Sequence, residues 1–149
     1  MIDALVEVVL LSARDGHLRY RTVTAPLDGA RHPDSVARSL AGKGTEMLHS
    51  TAWRHERGRI ILTYAALPDP RPTGSRRLTD EQLVASADAR RPSPGRVTAA
   101  CVATHACRHL AFLYQRDPVV AEAGRRHPEL WDLLTELEPA VANLIAEPA

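Results

Sequence analysis

Aromatic side chains make up only 4% of the 149 residues, and the chain holds two cysteines, one lysine (Lys43) and one asparagine (Asn143). Each scarcity excludes something. So few rings cannot supply a stacking surface for single-stranded nucleic acid. Nineteen basic and eighteen acidic side chains leave a net charge of +1, without the clustered positive charge on which nucleic-acid affinity rests. No run reaches the ~18 consecutive apolar residues of a membrane span. Neither nucleic acid nor membrane is therefore an expected partner. Met1-Ile2-Asp3 lacks the basic opening of a secretory signal, and no small-residue cleavage site follows the apolar run. Cys101 and Cys107, six apart on one helix, point more than a right angle away from each other and cannot bridge. Free thiols suit a reducing compartment, so the expected location is cytoplasmic. Eighteen arginines beside a single lysine read as GC-rich coding bias rather than as selection for phosphate.

What is present is ordinary globular material, 44% hydrophobic and 25% charged, in a length that suits one domain, residues 1–149. Ala4–Ser12 is a Leu/Val run broken only by Glu7, as in a strand buried on both faces. Asp15-Gly16 is hairpin-turn chemistry, and Leu18, Tyr20 and Thr22 then alternate with arginines. Pro33 and Asp34 open a short helix that Gly42 or Gly44 closes. Residues 45–54 and 59–67 form a second hairpin, with Met47, His49, Thr51 and Trp53 expected on one face. Residues 68–95 read as a mobile Pro- and Arg-rich crossover with a small helix at 80–88, where Thr79 and Gln82 have capping-box spacing. Helices follow, opened by Ser93-Pro94, Asp117-Pro118 and His127-Pro128, with Pro139 interrupting the last. The expected fold is α+β, an antiparallel sheet of about four strands (β-β-α-β-β) with the helices on one face.

The candidate chemistry gathers on the longest helix. Cys101, His105 and His109 follow at i, i+4 and i+8, one stripe of good zinc ligands. Three turns span ~12 Å, so at most two of them would share a metal with a ligand from elsewhere, and His49 on the third strand is the natural outside donor. Without metal, His49, Thr51, His105 and His109 would be the acid–base set of a pocket between sheet and helix. Trp53 and Arg54 offer stacking surfaces for a flat ligand, and Arg108 and Phe112 lie on the same helix face as the histidines. The ordinary alternatives are a solvated polar helix face and a core tryptophan. No H-E-x-x-H motif, phosphate-cradling glycine loop, G-x-S-x-G elbow or C-x-x-C pair occurs.

The run His49-Ser-Thr-Ala-Trp-Arg54, then Gly58-Arg-Ile-Ile-Leu-Thr-Tyr64 and Arg108-His109-Leu-Ala-Phe112, resembles a group of small uncharacterised proteins of high-GC actinobacteria. That resemblance implies no particular activity. The order strand, Asp-Gly turn, strand, helix, strand pair is also similar to that of the Nudix hydrolases. In those enzymes the helix carries metal-binding glutamates; here it reads Asp34-Ser-Val-Ala-Arg-Ser-Leu40, without one. The leading expectation is a small-molecule or zinc site at the sheet–helix seam. The alternatives are a non-catalytic interaction protein forming a homodimer, and a phosphoester hydrolase using His49, which needs a second histidine within reach.

Overall fold

Two hairpins lie side by side at the centre of the fold, in a computed structural model whose described residues are 3–79, 98–140 and 143–144. Strands β1 (Asp3–Arg14) and β2 (His17–Pro26) turn at Asp15-Gly16, with φ of 53° and 75°. Strands β3 (Met47–Glu56) and β4 (Arg59–Leu67) turn at Arg57-Gly58, with φ of 52° and 77°. Paired positive φ values give a turn whose twist matches that of the flanking strands. Between the hairpins runs α1 (Pro33–Ala41). His32 Nδ1 accepts the Asp34 amide at 3.1 Å at its start, and Gly42, at φ 88°, ends it.

The hairpins join through β1 and β4, which are parallel. The full order is β5-β2-β1-β4-β3-β6, where β5 (Arg76–Arg77) and β6 (Asn143–Leu144) are two-residue additions at the two edges. The sheet is thus mixed, and the expected antiparallel sheet of about four strands is corrected. The crossover through α1 brings the chain back to start β3 in the direction of β2, so β4 must run with β1.

A second correction concerns the layers. β1 turns Val6, Val8 and Leu10 toward α1 on one face, and Val9 and Leu11 toward the C-terminal helices on the other. Helices therefore cover both faces, not one. α1 covers the first face, and the second is covered by α2 (Ala99–Arg116), α3 (Pro118–Gly124) and α4 (Pro128–Thr135). Among the described residues no helix is long and apolar enough to cross a membrane. Thr98 caps α2, its Oγ1 accepting the Cys101 amide at 3.1 Å; Asp117 Oδ1 accepts the Val119 amide at 2.9 Å to open α3. The expected start at Ser93-Pro94 and the helix at 80–88 lie outside the described residues.

The first part of the expected mobile crossover is fastened instead. Arg21 donates to both carboxylate oxygens of buried Asp69, at 3.1 and 2.7 Å. Arg19 Nε donates to Ser75 Oγ at 2.9 Å, and the Leu78 amide donates to the Leu18 carbonyl at 2.8 Å. These bonds lay residues 69–78 across β2.

Candidate functional site

The geometry of the site starts with an irregularity in β3. His49 stands opposite Ala65 and Ser50 opposite Tyr64, but the next pair is Ala52 with Thr63, so Thr51 is an extra residue in the ladder. Such a bulge exchanges the two faces of the strand beyond it. His49, Ala52 and Arg54 consequently face the C-terminal helices, whereas Trp53 turns to the opposite side and is 43% exposed. The shared face expected for His49, Thr51 and Trp53 is corrected on this ground. Among the described residues, the ring contact of Trp53 is an edge contact with His55, at 5.4 Å between centroids. Thr51 is fully buried, its Oγ1 donating to the Thr63 carbonyl at 3.4 Å.

Arg54 does not join Trp53 in a flat platform, because the two point to opposite faces of the sheet. Its guanidinium, on a residue only 5% exposed, donates to both oxygens of Glu7 at 2.8 and 3.2 Å and to Glu56 at 3.3 Å. Thr63 Oγ1 completes the network with a 2.8 Å bond to Glu7. Glu7 is the one charge in the run Ala4–Ser12. That was the signal that a buried partner had to exist.

On α2 the residues of the expected stripe diverge in role. Arg108 Nε donates to the Glu138 carbonyl at 2.8 Å, and the Arg108 carbonyl accepts the Ala140 amide at 3.0 Å. His109, 5% exposed, contacts the Ala140 carbonyl through Nδ1 at 3.0 Å. A carbonyl can only accept, so Nδ1 carries the proton and a neutral His109 keeps a bare Nε2. Together these bonds clamp residues 138–140 along the helix. Phe112 stacks beside the His109 ring at 6.0 Å, with the Arg116 guanidinium over the Phe112 face at 5.1 Å. Cys101 lies in the first turn of α2, two turns from His109, and neither cysteine is in a disulfide.

Of His49, His105 and His109, it is His109 that interacts electrostatically with each of the other two, across the seam of β3 and α2. Burial lowers the pKa of all three. For His109 the Ala140 carbonyl acts in the opposite sense and His49 adds to the lowering. For His105, His109 adds to the lowering, the Thr51 carbonyl opposes it, and Arg108 contributes again in the lowering direction. Asp117, at the corner between α2 and α3, is the one group that favours a charged His49. His105 Nε2 is buried without a hydrogen-bond partner among the described residues. At neutral pH the set is therefore a group of uncharged imidazoles, able to accept a proton. Among the described residues, no group of three or more His, Cys, Asp or Glu side chains is placed to hold a metal ion.

His49 alone of the three lines an open cleft of about 760 Å³. The end of α1 and the turn after it supply Arg38 and Lys43; the start of β3 supplies Glu46, Met47 and His49; α3 supplies Val119 and Ala123. No sequence motif marks this cleft, because its walls come from three separated segments. A late hint was Lys43, set between Gly42 and Gly44 just past the helix end. No protein-family model matches the chain, and no curated protein matches it either.

Proposed function

We propose that the protein binds a small molecule in the cleft between α1, the start of β3 and α3, with His49 as the acid–base group presented to it. The observation that carries this reading is the position of His49, half-buried in the wall of the cleft with its ordinary pKa lowered by burial. A neutral imidazole beside an accessible cavity can take a proton at physiological pH and, as imidazolium, return it. His109, fixed by Ala140, keeps a second imidazole behind it without facing the cleft. His105, half-buried beside the Thr51 carbonyl, completes the seam. The reading needs no metal, and Trp53 and Arg54 have no part in it.

The nearness of His109 also supports a second reading, phosphoester hydrolysis with His49 as one of two histidines. The non-catalytic homodimer makes the opposite forecast, because it leaves the cleft without an occupant. A screen of small molecules by ligand-observed NMR, read also on the histidine ring resonances, separates these readings. Val119 is 76% exposed, so Val119→Trp can obstruct the cleft without disturbing the core. The expected result is a set of compounds that shift the His49 signals and bind at least about tenfold more weakly to the Val119→Trp variant. Compounds that bind both proteins equally, or a screen in which none moves His49, would overturn the proposal.

A further inference from the structure

The charged side chains that line the cleft are not balanced, with Asp117 a nearby acid outside the lining that acts on His49. Glu46 is its one acidic lining residue, and it is already held from outside the cleft. His127 Nε2 contacts one of its carboxylate oxygens, and Arg126 lies 3.9 Å from the other. Arg38 and Lys43 are exposed and have no acidic partner among the described residues. The cleft thus presents two uncompensated cations, although the whole chain carries only +1. Opposite them is an apolar wall. Val119 exposes 76% of its surface there, an unusual amount for a valine at the start of a short helix, with Ala123 one turn further along. Part of Arg38's placement follows from its position in the last turn of α1, where carbonyl ends favour a cation. Lys43 lies beyond the helix cap and has no such reason.

We propose that the ligand class of this cleft is a small organic anion, a carboxylate or phosphate head on an apolar body, with Lys43 and Arg38 facing the head and Val119 facing the body. The inference rests on the cleft being a binding site and adds the chemistry of what enters it. His49 then stands within the same cavity as the bound anion, where a negative charge favours its protonated form. Because both cations are solvated, the attraction is screened by salt.

The test uses phenyl phosphate, benzoate and phenol, which share an aromatic body and differ in the head. Each is titrated at pH 7 and low ionic strength into the wild-type chain and into Arg38→Gln/Lys43→Gln, with the His49 ring signals as the readout. Both substitutions are at exposed positions and leave the fold intact. The expected result is binding of phenyl phosphate or benzoate that is at least about tenfold tighter than that of phenol and at least about tenfold weaker in the double variant. The better of the two acids identifies the head group. Phenol binding as tightly as the acids would overturn the anion inference while leaving the cleft as a site. Binding unchanged in the double variant would overturn it as well. If no probe and no compound of any charge moves His49, the site reading falls with it.

Discussion

Replacing Arg54 with methionine is expected to cost about 3–5 kcal/mol of folding stability, the usual penalty for removing one partner of a buried ion pair. Glu7 is 8% exposed and Arg54 5%, so the carboxylate left behind has no water to replace the two guanidinium bonds. Thr63 remains as a single donor to it. The loss is a property of the orphaned charge, not a measure of the pair's net worth. Arg54→Met combined with Glu7→Leu should accordingly recover most of the stability, because the desolvation cost disappears with both charges. Urea denaturation of the two variants checks this. A double variant as unstable as the single one would show that the network holds the strands by geometry instead.

The second large effect is expected at the contact between α2 and the sheet. Ala103, Ala106 and Leu110 are fully buried there, and Ala111 is 1% exposed. Small residues let the helix backbone approach the strands, and Leu110 fills the space between. Leu110→Ala should therefore destabilise by about 2–5 kcal/mol through lost burial and the cavity left behind. Ala103→Leu, which adds volume where none is free, should cost about 1–3 kcal/mol. Val119→Ala, on an exposed cleft wall, should stay within about 0.5 kcal/mol. Thermal and urea unfolding provide the comparison.

Local signals in the sequence carried the local structure well. Asp15-Gly16, Arg57-Gly58, Pro33, Asp117-Pro118 and His127-Pro128 all sit where turn and helix-entry chemistry put them. The spacing of His105 and His109 places both on one side of α2, where His109 interacts with His49 of β3. Strand direction was a different matter. Side-chain alternation is the same in parallel and antiparallel strands, so nothing in β1 or β4 revealed their parallel pairing. The bulge at Thr51 was equally silent, because threonine is a good strand residue and one extra residue leaves no compositional mark. That single residue sends Trp53 away from His49 and turns Arg54 inward to Glu7. The cleft was hidden for a third reason, that its walls are assembled only by the packing of α1 and α3 around the start of β3.

The seam histidines, His109 buried and His49 and His105 half-buried, also make the fold less stable at acid pH. Their folded pKa values lie below the ordinary value of 6.5, while the unfolded chain titrates near ~6.5. The unfolded state therefore binds protons first as pH falls. The stability contributed by neutral His49, His105 and His109 is complete above ~6.5 and is lost as pH drops through that value toward the folded ones. Asp117 moderates the effect at His49, and Arg108 strengthens it at His105.

The reading that places His49 in the cleft wall with His109 behind it is tested most directly by titrating assigned histidine ring signals by NMR in the wild-type chain and in His49→Gln. All three seam histidines should titrate below ~6.5, and removing His49 should raise the His109 midpoint by taking away a neighbouring positive charge. A His109 midpoint that His49→Gln leaves unchanged would contradict the account, because the two rings would then be too far apart to act at one site.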